Sequence, residues 1–148
     1  MMGRPELENL VRVRQLKAEP GTQSEFDGLT RSGEVRLRDA ANLTLSPESR
    51  FDLAYNASHA LSLAALRWHG YRSENRYVVF QCPTHTLSLP AEQWRVLDQA
   101  HRKRNLAEYE GEVEVEVDEG LLAALLRVAN DVAAGVHRLG QLVGGRQL

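Results

Sequence analysis

The segment from Ser46 to Gly70 constrains the fold of this chain more than any other. It opens Ser46-Pro47-Glu48. There a hydroxyl can cap orphan amide groups, a proline fits the first turn, and a carboxylate complements the positive helix end. It closes at Gly70, the residue type that most readily takes the left-handed conformation past a helix end. Between these signals run two apolar stripes at helical spacing. Phe51, Ala54, Ser58, Leu61, Ala65 and Trp68 form one, and Leu53, Ala57, Ala60 and Ala64 form the other. A helix that is apolar on two sides must be covered on both. So many alanines also let neighbouring helices approach closely. The segment predicts the central helix of a bundle.

The remaining segments supply the neighbours such a helix needs. Pro5 to Ala18 predicts a short helix with Leu7, Leu10, Val11 and Arg14 on one face, ended by the turn-rich Glu19-Pro-Gly-Thr-Gln23. A second helix is expected from about Ser24 to Leu43, with Phe26, Leu29, Gly33, Leu37, Ala40 and Ala41 turned inward. Tyr77 to Cys82 has strand propensity by composition, and Pro83 should end it. Residues 84–90 read as a connector, and another helix starts at Pro90 or Ala91. Glu112 to Val117 alternates with period two and reads as extended. The last helix begins near Asp118 and Glu119. It carries Leu121, Leu125, Val128, Val132, Gly135, Val136, Leu139 and Val143 on one face. The expected organisation is an N-terminal helical arm over 1–22, a helical bundle over 23–143 and a flexible tail over 144–148.

Composition narrows the function classes. The chain has 148 residues, enough for one domain with a sizeable core, and its formal net charge is -2. Any attraction for anions must therefore be local rather than global. Cys82 is the only cysteine, so no internal disulfide or cysteine-based metal cluster can form, which fits a reducing, cytoplasmic setting. The N-terminal residues include no apolar signal core, and no stretch is long and apolar enough to span a bilayer. No metal ligand set and no cofactor motif is evident. His59, His69 and His85 are too dispersed for zinc spacing. Gly-x-Ser-x-Gly, His-Glu-x-x-His and Gly-x-x-x-x-Gly-Lys patterns are absent.

Polar chemistry is concentrated in the second half of the helix that starts near Pro90. Asp98, His101, Arg104, Asn105, Glu108 and Tyr109 fall within an arc of roughly 140°. A face that carries a carboxylate, an imidazole, a guanidinium, an amide and a phenol suits contact with RNA, a nucleotide or a polar partner. Tyr55 and Asn56, mid-helix on the central element, can face it and complete a polar pocket. The plainer reading is a polar seam between helices. In that seam Arg104 pairs with Asp98, Glu108 or a carboxylate on another helix, and buried polar groups are simply satisfied.

Two segments carry a family resemblance. Ala100-His-Arg-Lys-Arg-Asn-Leu-Ala-Glu-Tyr-Glu-Gly111 resembles the third helix of a bacterial branch of the HEPN family. Arg50 to Ala57 followed by Leu63 to Tyr71 resembles that branch's second helix. The family motif is an Arg, with a polar residue next to it, and a His after four to six residues counted from the Arg. Arg104-Asn105 matches the start, and Tyr109 stands where the His belongs. The resemblance spans roughly residues 24 to 143. It implies an all-α, HEPN-like up-and-down four-helix bundle, here with an additional N-terminal helix, and it implies a helix rather than a strand at residues 77–82. It further implies a homodimer that acts on or near RNA or nucleotides. A two-fold axis would double a site that holds a single Arg104 per chain.

In the ribonuclease members of the family, the motif Arg and His promote attack of a ribose 2′-hydroxyl on the adjacent phosphate without a metal. Arg suits the developing phosphorane charge, and His moves protons near neutral pH. A phenol with an ordinary pKa of about 10 is a poor general base at pH 7. The expectation is therefore an RNA- or nucleotide-binding protein without efficient catalysis. Its ligand contacts are Arg104, Asn105, Tyr109, Asp98, Tyr55 and Asn56. One alternative is a protein-interaction or substrate-binding helper for a nucleotidyltransferase. Another is a toxin-like, metal-independent endoribonuclease, with an antitoxin as partner, in which Arg104 acts with Tyr109 or His101.

Overall fold

The computed structural model describes residues 3–109 and 118–142, and the side chains of all of these except 106–109. The expected extended run at 112–117, the tail at 144–148 and the Glu108 and Tyr109 side chains lie outside the described residues. The element order is α1 (Arg4–Arg12), β1 (Lys17–Ala18), α2 (Gln23–Ala40), α3 (Pro47–Trp68), β2 (Tyr71–Arg72), α4 (Arg76–Gln81), α5 (Pro83–Thr86), α6 (Ala91–Tyr109) and α7 (Glu119–Gly140). The described chain is mostly helical, and α2, α3, α6 and α7 are its long helices.

Helix α3 starts and stops where its sequence signals stand. The Ser46 hydroxyl accepts from the Ser49 amide at 3.1 Å, and Gly70 takes φ +88° just past the helix end. Both apolar stripes are covered. Phe51, Ala54, Ala57, Leu61, Ala64 and Ala65 lie in a core shared with α2, α6 and α7. Gly33 of α2 explains how closely α2 approaches, since a Cβ there would fall within contact of the Leu61 side chain.

The N-terminal segment is built into a second core. Leu7, Leu16, Leu66, Tyr71, Val78, Val79 and Cys82 pack together, so the far side of α3 is covered by α1, α4 and the β1–β2 ladder. That ladder is antiparallel, with Lys17 opposite Arg72 and Ala18 opposite Tyr71. The helix expected to reach Ala18 ends at Arg12. The Gln15 amide reaches back to the Leu10 carbonyl at 2.8 Å and the Arg14 amide to Val11 at 3.0 Å, with Arg14 at φ 64°. This is a Schellman termination with arginine in the place glycine usually holds, so the stop has no glycine to mark it. Helix α2 likewise ends at Ala40 rather than near Leu43. Asn42 accepts from the Thr44 amide and hydroxyl at 3.0 and 2.7 Å, and that Asx turn takes the chain out of the helix. Residues 77–82 fall in helix α4 and its C-cap, against their strand propensity, because Asn75 caps the turn and the apolar side chains have two cores to fill. Pro83 does not simply end the segment. It opens the one-turn α5, so the expected connector is partly helical.

Arg67 ties these parts together. Its side chain is only 3% exposed and sits near the end of α3. Nε donates to Glu25 at 3.0 Å. Nη1 donates to the Glu19 and Tyr71 carbonyls at 2.9 and 3.1 Å, and Nη2 donates to the Pro20 carbonyl at 3.0 Å. A buried guanidinium is tolerable only when its fork is satisfied, and here three carbonyls and a carboxylate do so. The bond to Glu25 fixes the start of α2, and those to Glu19, Pro20 and Tyr71 fix the loop after β1 and the strand β2.

Candidate functional site

The capped start of α3 fixes the register of its polar residues. Asp52, Tyr55, Asn56 and His59 recur at the i, i+3, i+4, i+7 spacing of one helix face. That face meets α4 and α6. The Asn75 side chain accepts from the Val78 amide at 3.3 Å and so starts α4 with Arg76 as its first residue. Arg76 then donates to Asn56 Oδ1 at 3.1 Å, and its guanidinium lies 5.4 Å from the Tyr55 ring centroid. From α6, Leu97 and Ala100 turn into the core, while His101 and Arg104 sit at the seam.

Two guanidiniums from different helices thus converge on one buried ring. Arg104 lies 5.5 Å from the Tyr55 centroid and is ion-paired with Asp52 of α3. The pair is open to water, with side chains 27% and 49% exposed respectively. Among the described residues no carboxylate lies within ion-pair distance of Arg76.

His101 occupies the centre of the cluster. Its Nδ1 is 2.9 Å from the Tyr55 hydroxyl, and its Nε2 is 3.1 Å from the Asn105 side chain. Its ring lies parallel to Tyr55 at 6.3 Å and tilted against Phe80 and Tyr77 at 5.7 and 6.4 Å. A neutral imidazole accepts at one nitrogen and donates at the other. As placed, the Asn105 Nδ2 donates to Nε2, which leaves Nδ1 to donate to the Tyr55 oxygen; flipping the Asn105 amide reverses both bonds. Both nitrogens are occupied in each case. His59 lies on the other side of Phe80, at 5.9 Å ring to ring. Burial first, then the Arg76 charge and the neighbouring His101, push its pKa down from 6.5 to about 4. It is therefore neutral at pH 7.

The residues singled out by sequence fall into two groups. Arg104, Asn105, His101, Tyr55 and Asn56 are linked to one another directly or through Arg76. Asp98 is not part of this cluster among the described contacts. It pairs through Oδ2 with Arg102 one turn ahead at 3.0 Å, while its Oδ1 is buried with no hydrogen-bond partner among the described residues. Tyr109 ends α6, and its side chain lies outside the described residues. Three participants were missed. Asp52 and His59 were legible as the rest of the α3 polar stripe that already included Tyr55 and Asn56. Arg76 carried no such sign, because its role depends on α4 folding across α3.

Other candidate chemistry is sparse. Cys82 is fully buried, and burial pushes its thiol pKa up to about 12. No group of three or more His, Cys, Asp or Glu side chains able to hold a metal ion occurs among the described residues. No helix among them is long and apolar enough to cross a membrane. Compared with known proteins, the chain matches no protein-family model, no curated protein and no solved structure.

Proposed function

We propose that this protein binds RNA or a nucleotide through the arginine pair at the α3–α4–α6 seam, and that it does so without efficient catalysis. The observation that carries this reading is the convergence of Arg76 and Arg104 on the Tyr55 ring, beside Asn56, His101 and Asn105. The net charge of the chain gives no general attraction for polyanions. Two partly open guanidiniums, 5.4 and 5.5 Å from one ring centroid, supply a local one, with the planar donor geometry that phosphate oxygens accept. Asp52 competes with the ligand for Arg104, and its exposed carboxylate can turn into water when a phosphate arrives. The arginine pair thus combines a structural seam with an anion site.

The resemblance to the HEPN family agrees with this choice of ligand, and the bonding of His101 argues against turnover. A general base must bring a nitrogen within hydrogen-bond reach of the hydroxyl it deprotonates. Both nitrogens of His101 are engaged within the protein. On this reading His101 positions Tyr55 and Asn105 and takes no proton from a substrate. A homodimer with two such sites is part of the same proposal.

The test uses purified protein, total RNA and EDTA, beside Arg104→Ala and Arg104→Lys variants. The expected result is RNA retained on a filter by the wild type, lost with Ala, weakened with Lys, and not cleaved. Cleavage that survives EDTA and disappears with Arg104→Ala overturns the non-catalytic reading in favour of a metal-independent ribonuclease. Absence of both binding and cleavage, with capture of a nucleotidyltransferase, overturns it in favour of an interaction module.

A further inference from the structure

The aromatic surface beside the arginine pair points to the form in which nucleic acid is bound. Tyr77 follows Arg76 on α4 and is 40% exposed, one of five large apolar side chains so open among the described residues. Its ring is 6.4 Å from His101 and 5.6 Å from Trp94, edge to face with the latter. Tyr77 thus continues the row of rings from Tyr55 through His101 out to the surface. Trp94 in turn lines a groove of about 690 Å³ between α1 and the α4–α5–α6 side. Its walls also include His85, Gln81, Asn9 and Leu10, and it reaches Arg12. Glu6 is the one carboxylate among the lining residues, against the guanidinium of Arg12.

This sequence of groups has the composition of a path for a single strand. Cations hold the backbone, exposed rings offer π-faces, and neutral donors and acceptors line the remainder. A duplex cannot use Tyr77, because its bases are already stacked and paired. A mononucleotide cannot span from Arg104 past Tyr77 and Trp94 to Arg12. Building on the binding role proposed above, we infer that the ligand is single-stranded RNA several nucleotides long. Its phosphates are held at Arg104 and Arg76, a base stacks on Tyr77, and the strand follows the Trp94 groove toward Arg12.

Fluorescence anisotropy with labelled oligouridylates of two, four and eight nucleotides tests this. An eight-base-pair RNA duplex and uridine monophosphate serve as competitors. Affinity is expected to rise with length across the series, with neither competitor effective at equal concentration. Tyr77→Ala lowers octamer affinity by about tenfold or more, whereas Tyr77→Phe keeps it, since stacking uses the ring and not the hydroxyl. Arg12→Glu, at the far end of the groove, weakens the octamer by about tenfold. Arg36→Glu, on the exposed side of α2, leaves it unchanged and controls for net charge. Thermal melts confirm that each variant is folded. Octamer binding that depends on Arg76 and Arg104 but is indifferent to Tyr77→Ala, Arg12→Glu and strand length overturns the path and leaves the arginine site standing. Failure of the wild type to bind any of the oligonucleotides overturns both.

Discussion

Replacing Arg67 by alanine should cost more stability than any other single change of a charged residue in the described chain. The side chain is almost fully enclosed and donates to Glu25, to the Glu19 and Pro20 carbonyls and to the Tyr71 carbonyl. Hydrogen bonds from a charged donor each contribute about 1.5–3 kcal/mol. Simple addition overstates the effect, because the Glu19 and Glu25 side chains are about one-third exposed and regain water when the arginine is removed. The three carbonyls are held by the turn and strand they belong to and regain less. Breaking a buried ion pair by removing one partner costs about 3–5 kcal/mol, and partial rehydration places Arg67→Ala near about 3–4 kcal/mol. For a chain of this length that corresponds to a fall in Tm of roughly 6–16 °C. Arg67→Lys should recover only part of this, because one ammonium cannot reach all four acceptors. Urea and thermal denaturation followed by far-UV circular dichroism measure it. A loss below about 1 kcal/mol for Arg67→Ala would refute the role assigned to this guanidinium in holding α2, the 19–20 turn and β2 to α3.

Three further outcomes follow from the packing and the site. Between about pH 4 and 6.5 the unfolded His59 imidazole holds more protons than the folded one, so its contribution is complete above pH 6.5 and is lost as the pH falls toward 4. The site is partly open to water, so the loss should be about 1–2 kcal/mol, and His59→Gln should flatten the acid limb of the stability profile by that amount. Gly33→Ala should destabilise by about 1–2 kcal/mol, because the fully buried Leu61 cannot retreat, whereas Gly28→Ala, with open space around it, should stabilise by about 0.5–1 kcal/mol in the same melts. Cys82 should react with a thiol reagent only at the rate of unfolding, and rapid stoichiometric labelling of the native protein would contradict its burial and raised pKa.

What the sequence disclosed followed from local chemistry. Ser46, Pro47 and Gly70 bracket α3 because capping and left-handed termination act over a few residues. Most of the inner faces of α2 and α7 was legible for the same reason, since helical periodicity needs no knowledge of the partner, although Ala41, expected inside, is exposed just past the end of α2. The early end of α1 was hidden because Arg14 holds a backbone conformation normally announced by glycine. Helix α4 ran against the strand propensity of its own residues; the resemblance pointed to a helix there, and tertiary packing is what makes it one. At the site, the face shared by His101, Arg104 and Asn105 could be read from spacing alone. Tyr55 and Asn56 could be named as groups that face it, but neither the bonds they make nor the arrival of Arg76 could be read. Tyr55 lies 46 residues before His101, Arg76 lies 20 after Asn56, and Arg67 meets Glu25 across 42 residues. Such pairings are set by how helices cross. They leave a trace in sequence only where, as with Asp52, Tyr55, Asn56 and His59, they occupy one stripe of an otherwise apolar helix.

The salt dependence of RNA binding tests the arginine pair most directly. For a single strand, each phosphate neutralised by a cation contributes about 0.7 to the slope of log affinity against log salt. Measured on an oligouridylate between low and moderate salt, Arg76→Gln and Arg104→Gln should each lower that slope by about 0.7, and the double variant by about 1.4, with the fold retained. Slopes equal to that of the wild type in all three variants would mean that neither guanidinium meets a phosphate, and the binding role assigned to the α3–α4–α6 seam would be wrong.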